Sequence, residues 1–288
     1  MWIKTYKPYT PSRRFMTWYT FDEITKTTPE KSLTKFIGST GGRNHHGRIT
    51  TRSRWGGHKR LYRIIDFRRY DKIDVPGKIA SIEYDPYRTA RIALVNYRDG
   101  EKRYVLAWKW VTVWDMIQTW EKAPLENGCT KKLKDIPEWF TIYGLEVTPN
   151  TKAKLLRSAG IFGTITGKDE NAWLVFVKMP SGEVRKFHNN CWATIGQVWN
   201  EERKNIVLGK AGRNRWKGRR SHVLGINMNP VDHPHGWWEA HSPIGMKTPK
   251  NFVGKPVPYG KTTRKKNKWS DKFIVQGRKR KLYPQNSK

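Results

Sequence analysis

The residues best equipped for chemistry lie in two histidine-bearing stretches. Asp232-His233-Pro234-His235, with Glu239 close behind, offers an H-x-H pair that can ligate zinc and a carboxylate to serve as third ligand or base. Such a site tolerates little positional error. The basic segment around it has no apolar period from which to build a scaffold, so a hydrolase is disfavoured. His45-His46 sits inside an Arg/Gly run, where hydrogen bonding or stacking suits the pair better than metal ligation. Cys129 and Cys191 are far apart and form no C-x-x-C pair, which argues against a disulfide framework or a cysteine zinc site and fits a reducing compartment. There is no nucleophile elbow, no phosphate-binding loop and no carboxylate pair flanked by pocket-forming segments. The chain reads as a non-enzyme that requires no cofactor.

Binding chemistry is what the residue types support instead. Gly41 to Arg52 alternates glycines, which let a backbone approach a ligand closely, with arginines, whose planar forks match phosphate oxygens and stack on bases. Gly56-Gly57-His58-Lys59-Arg60 repeats that chemistry. Net charge indicates the class of ligand: 57 Lys+Arg oppose 24 Asp+Glu, a formal charge of +33. Such a surface favours a polyanion, and each phosphate it neutralises releases a condensed counterion. No acidic residue occurs from Lys31 to Ile65, and from Arg203 to the end only Asp232, Glu239 and Asp271 do. An anionic membrane is the rival partner, but the sequence has neither an apolar run of about 18 residues nor a long basic amphipathic helix. Nucleic acid is the better fit. The candidate contacts are Arg43, Asn44, His45, Arg48, Thr51, Arg52, His58, Lys59 and Arg60 on the amino-terminal side. On the carboxy-terminal side they are Lys210, Arg215, Lys217, Arg219, Arg220, Asn229, Asp232, His233, His235, Lys261, Arg264, Lys265, Lys268 and Lys272. The 15 tryptophans are assigned mainly to core packing, with base stacking as the functional alternative.

The elements that must hold these contacts are short strands. Lys78 to Tyr84 alternates apolar and polar side chains; Ala90 to Tyr97 and Arg103 to Ala107 are β-branched and aromatic-rich and join through Asp99-Gly100, a hairpin signal. After the break between Pro124 and Pro137 the pattern restarts with Thr141 to Val147, Ile161 to Thr166, Trp173 to Val177 and Val184 to Phe187. The spacing predicts two small antiparallel barrels in series, with Ile82, Leu94, Val105, Ile165, Val175 and Val177 in their cores, each barrel marginal alone. A short helix is expected near Thr194 to Asn200. Ser39 to His58 and Lys204 to Lys288 are rich in Gly, Pro, Arg, Lys and Asn, and are expected to take shape only against a partner.

Several motifs, in order, carry a resemblance. Gly41 to Arg52 followed by Gly56 to Phe67 closely resembles the signature stretch of the universal ribosomal protein L2 family. Ile82 to Pro86, Tyr97 to Ala107, Leu156-Arg157-Ser158-Ala159-Gly160, Ser181 to Lys186, Leu208 to Gly212 and Arg215-Trp216-Lys217-Gly218 continue it in register. Met228 to Gly236 is its most distinctive motif, and Gly260 to Arg264 and Asp271 to Val275 close it; Lys7-Pro8 and Pro11 to Arg14 are similar to the family's start.

The resemblance implies a mainly β chain. It would comprise a long irregular basic amino-terminal RNA-binding extension (1–60), an OB-type barrel (61–130), an SH3-like barrel (131–203) and a long irregular basic carboxy-terminal RNA-binding extension (204–288). It further implies a structural protein that binds large-subunit ribosomal RNA, touches neighbouring ribosomal proteins and the small subunit, and supports the peptidyl-transferase region through the Asp232–His235 loop. Structural Mg or K ions would be shared with the RNA. Trp237 and Trp238 stand where the family continues with glycines, and Trp108, Trp110, Trp114, Trp120 and Trp199 where small residues or Pro are expected. This drift, with a family-like start at Met1 and no secretory signal, leads us to expect an organelle-encoded protein of a mitochondrial ribosome, a bacterial cytoplasmic ribosome being the alternative. A different class of function, a free single-strand RNA binder on an OB barrel, would instead show aromatic platforms on its sheet.

Overall fold

A computed structural model describes residues 3–238, 246–257, 264–265 and 267–278. These form two compact units: one of residues up to Gly38, Lys59–Lys210 and from Lys272 on, the other of Ser39–His58 with Ala211–Asp271.

The first unit is built of antiparallel strands. Two short ribbons pair β1 (Ile3–Thr5) with β2 (Thr17–Tyr19) and β3 (Thr34–Phe36) with β4 (Leu61–Arg63). β5 (Gly77–Glu83), β6 (Ile92–Tyr97), β7 (Lys102–Leu106) and β8 (Met116–Ile117) make a sheet in the order β7-β6-β5-β8. β9 (Thr130–Lys132), β10 (Thr141–Tyr143), β11 (Gly163–Asp169), β12 (Leu174–Lys178), β13 (Val184–His188), β14 (Trp192–Ile195) and β15 (Ile274–Gln276) make the other, ordered β15-β13-β12-β11-β10-β14-β9. Register shifts between Ile79 and Ser81 and between Ile165 and Gly167 mark bulges that curl both sheets. The chain is thus mainly β, an OB-type barrel followed by an SH3-like one.

Strand alternation sorts the core. Ile79, Ile82, Val95 and Val105 from the first sheet join Ile142, Ile165, Val175 and Val177 from the second in one continuous cluster, while Leu94 turns to the opposite face with Ile65, Ile92 and Tyr104. The barrels therefore share apolar burial rather than each relying on a marginal core of its own. Buried Glu83 accepts hydrogen bonds from the Tyr104 hydroxyl at 2.7 Å and from Ser81 Oγ at 3.0 Å; the same Tyr104 oxygen accepts from the Glu30 N–H at 2.8 Å. Burial, with Glu83 alongside, holds the Tyr104 phenol above its ordinary value.

Three expectations are corrected. Thr194 to Asn200 is not helical: Trp192–Ile195 pairs with β9 and β10, left-handed Gly196 and Asn200 end the run, and a 3-10 turn begins only at Glu201. β-Branched Thr194 and Ile195 suit the sheet better than a helix. The carboxy-terminal extension is not irregular throughout, since β15 returns to pair with β13. Nor are the tryptophans mainly core. Among the described ones only Trp108, Trp192 and Trp199 are buried; Trp55, Trp110, Trp114, Trp139, Trp173, Trp216, Trp237, Trp238 and Trp269 are exposed.

The second unit follows a defined path with little apolar burial. Its helix α1 (Ala211–Trp216) buries no residue. Backbone groups hold it instead: Trp55 N–H donates to Gly218 O at 3.1 Å, His58 N–H to Trp216 O at 3.0 Å and Arg220 N–H to Ser53 O at 3.0 Å. The approach requires glycine. A Cβ on Gly57 would lie 2.7 Å from Gly218 N and 2.8 Å from Trp216 O, and one on Gly218 would lie 2.7 Å from Trp55 O.

Two outcomes follow from these contacts. Tyr104→Phe removes a donor from a buried carboxylate and should cost about 1–3 kcal/mol, read from the urea midpoint of the isolated chain; an unchanged midpoint would mean Glu83 is satisfied otherwise. Gly57→Ala should weaken the second unit locally by about 1–3 kcal/mol, seen as faster amide exchange at Trp55 and His58 while β6 and β12 keep their protection. Equal exchange in both proteins would refute the close approach.

Candidate nucleic-acid interface

Within the second unit, the Gly41–Arg52 loop is a folded turn. Asn44 Oδ1 accepts from His46 N–H at 3.1 Å and Arg48 N–H at 3.0 Å, and Gly42 O accepts from Thr50 and Thr51 N–H at 2.9 and 3.2 Å. Asn44 thereby shapes the loop, and its neighbours Arg43, His45, Arg48, Thr51 and Arg52 are presented to solvent. Arg43 braces the turn with one guanidinium nitrogen, 2.6 Å from Gly41 O. Arg52 lies 4.0 Å above the Phe252 ring, and the His45 and His46 rings are 3.8 Å apart.

Sequence reading treated the two ends of the chain as separate extensions; the structure brings parts of both together. Through the Gly57–Gly218 approach, exposed His58 lies in the same unit as exposed Arg215, Lys217, Arg219 and Arg220. Trp55 Nε1 donates to Arg215 O at 2.8 Å, and Arg54 bridges to Arg219 along the backbone. Arg54 was missed, although it stands in the same acid-free stretch. Among the described residues of this unit the only carboxylates are Asp232 and Asp271. Asp271 is engaged by Arg264, whose hydrogen bond holds the carboxyl below its usual range. Lys265 and Lys268 are exposed beside it.

The Asn229–Gly236 turn is also closed on itself. Asp232 N–H donates to Asn229 O at 3.0 Å, Gly236 N–H to His233 O at 2.8 Å and Trp237 N–H to Met228 O at 3.1 Å. His233 Nδ1 accepts from His235 N–H at 3.0 Å, and His235 Nε2 accepts from Lys250 N–H at 2.9 Å. Those two nitrogens use their lone pairs on the backbone, so this arrangement orients the half-buried rings within the loop. Among the described residues no three His, Cys, Asp or Glu side chains gather as metal ligands. Glu239 and Lys261 lie outside the described residues.

Lys59, Arg60, Lys210 and Lys272 belong to the first unit. Arg60 lies 4.4 Å over the Tyr87 ring and donates to Pro86 O at 3.1 Å; Lys59 lies 5.1 Å over Phe36, Lys272 lies 5.3 Å over Phe273, and Lys210 is exposed. Sequence reading missed the partner of Arg60. Arg88 sits 5.7 Å over Tyr62, whose ring packs edge-on against Tyr87 at 5.4 Å, making an aromatic and cationic surface. The signal was there in the adjacent pairs Tyr62-Arg63 and Tyr87-Arg88. Chemically, the two units offer forked cations, stacking faces and backbone donors on glycine-shaped turns, which suit phosphate and base faces. No helix among the described residues is long and apolar enough to cross a membrane.

Two family models match the chain. Ribosomal Proteins L2, RNA binding N-terminal domain, matches residues 30–119, and Ribosomal Proteins L2, C-terminal domain, matches residues 126–254. The first match takes in the Gly41–Arg52 loop and β5 to β8; the second takes in β9 to β14 and the His233 turn. Motif order, barrel pair and matches that leave only residues 120–125 between them agree, and the chain belongs to the ribosomal protein L2 family.

Proposed function

We propose that this chain is a structural protein of the large ribosomal subunit that anchors folded ribosomal RNA, helps join the two subunits and supports the peptidyl-transferase region without chemistry of its own. The observation that carries the reading is the convergence of Ser39–His58 with Ala211–Asp271 into one cation-rich unit with almost no carboxylate of its own. Its candidate contacts are the arginines and lysines of the two turns, together with Lys59, Arg60, Lys210 and Lys272. The barrels, over about 61–130 and 131–203, act as the folded base from which the extensions reach. The His233 loop is the part assigned to the peptidyl-transferase side, where its closed hydrogen bonding would hold a fixed shape. Neighbouring ribosomal proteins and the small subunit complete the partners, with Mg or K ions shared with the RNA and no cofactor required. A mitochondrial ribosome fits the tryptophan-rich drift, with a bacterial one as the alternative.

Binding in this scheme starts with electrostatics and ends with shape. Neutralising about 10 phosphates gives a logarithmic salt slope of about −7 to −9 for initial binding, measurable by filter binding to a large-subunit RNA fragment. Arg43→Ala, Arg48→Ala and Arg52→Ala together should flatten that slope and reduce recovery of the protein in large-subunit particles after a high-salt wash. Wild-type recovery would remove these residues from the interface, and a wild-type protein that washes off would favour a free RNA binder instead. His233→Ala should leave the barrels folded and lower peptide synthesis by purified ribosomes; an undiminished rate would detach the loop from any role at the peptidyl-transferase region.

A further inference from the structure

One groove of the barrel unit is lined by exposed aromatics, with Lys109 5.8 Å over the Trp110 ring. Trp110 and Trp139, 67 % and 72 % exposed, line a single open groove with Met116, Leu125, Asp115 and Glu126. Both tryptophans hold left-handed backbone, with φ of 65° and 67°. A Cβ-bearing residue there crowds its own carbonyl, so this conformation ordinarily falls to glycine or asparagine. Trp114, with φ 84° and equally exposed, stands next to the groove-lining Asp115. Backbone strain and apolar exposure thus fall on the same side chains, and glycine would remove both. Strain retained at an exposed aromatic cluster points to a contact that uses it.

Charge decides what the contact is. The groove's one lysine, Lys109, is paired with Glu201 at 2.9 Å. The acids that remain on its wall are Asp115, which accepts from Thr112 N–H at 2.8 Å, and exposed Glu126, which has no ion pair among the described residues. In a chain of formal charge +33, this aromatic, locally acidic groove is poorly suited to a polyanion. We propose that it seats a segment of a neighbouring protein, with apolar side chains set between Trp110 and Trp139 and a Lys or Arg of the partner beside Glu126 and Asp115. The proposal rests on the reading that the chain resides in the large subunit. It gives the exposed indoles a role separate from RNA: rigid aromatic anchors of the kind that dominate protein interfaces.

The test replaces Trp139 with the photo-cross-linker p-benzoylphenylalanine in the full chain, expressed where its ribosomes form. Sedimentation with large-subunit particles is read first; a chain absent from them overturns the residence reading and this proposal with it. In recovered particles, irradiation should join position 139 to a peptide of another protein that carries apolar residues next to Lys or Arg. Adding Glu126→Lys or Trp110→Gly should lower that yield about tenfold, as for loss of an interface anchor. Cross-linking to RNA, or none despite incorporation, would overturn the groove proposal and leave the residence reading intact. The paired variant Trp110→Gly with Trp139→Gly supplies a second measurement on the isolated chain. Its melting temperature should be no lower than wild type, because strain is relieved and little packing is lost; a drop of more than about 4 °C, roughly 1–2 kcal/mol for a chain of this size, would make the indoles packing elements and sink the idea.

Discussion

Cations held close on a short backbone repel one another, and the placement of carboxylates decides which parts of this chain can fold against water and which call for a polyanion. In the barrel unit several acids are matched to bases. Arg103 lies 2.9 Å from Asp66, 2.8 Å from Asp71 and 2.8 Å from Glu101, and Lys72 pairs with Asp99 and Glu101. Arg103 first and Lys72 second hold the Glu101 carboxyl down to about 2. Arg91, almost fully buried, pairs with Glu23 at 2.8 Å and lies 4.6 Å from the Tyr19 ring, pinning the amino-terminal segment to the first sheet. In the second unit the only carboxylates among the described residues are Asp232 and Asp271. The same chain thus contains a part where many bases meet carboxylates and a part with few carboxylates to meet its bases.

The joint between the barrels is polar as well as apolar. Arg69 precedes β5, yet its buried guanidinium donates to Gly128 O at 3.1 Å, Thr130 Oγ1 at 2.7 Å and Thr194 Oγ1 at 3.3 Å, reaching β9 and β14 of the second sheet. Thr130 and Thr194 are themselves 3.0 Å apart, so one charged side chain joins three neighbours. A buried cation is costly unless hydrogen-bonded, which ties the relative placement of the strands to this contact. The continuous cluster from Ile79 through Val177 then acts on both sheets together. Under the proposed anchoring role, rigidity at this joint matters, because it keeps the two sheets in one fixed arrangement.

How much of this was legible follows the physics of each element. Strands β5 to β7 and β11 to β13 were readable because Ile79, Ile82, Val105, Val175 and Val177 alternate with polar neighbours and Asp99-Gly100 closes a hairpin. β9, β14 and β15 were not, since Thr130–Lys132 and Ile274–Gln276 are too short to show a period and depend on partners remote in sequence. Composition identified Gly41–Arg52 and Arg215–Arg220 as binding segments one at a time. Nothing local announces that Gly57 fits against Gly218, because the fit is a property of the pair. The tryptophans misled for a related reason: hydrophobicity argues for burial, but backbone conformation decided the outcome at Trp110, Trp114, Trp139 and Trp173, all left-handed and exposed.

Glycine-spaced arginines also differ in kind from a flexible basic tail of equal charge. A tail must lose backbone freedom when it is ordered on RNA, at about 1–2 kcal/mol per residue, and its affinity is reduced accordingly. Here Asn44 closes the Gly41–Arg52 turn, Arg43 braces it through Gly41 O, and the Trp55 and His58 N–H groups tie its base to Gly218 and Trp216. In the proposed binding, turns of this sort would fix where each fork projects, and shape would then discriminate among RNA folds that all carry the same charge per nucleotide. Such a shaped turn depends on glycine, which permits the close backbone approach of Gly57 and Gly218; in the proposed binding, lysine-rich sequence of the same charge would attract RNA without choosing among its shapes.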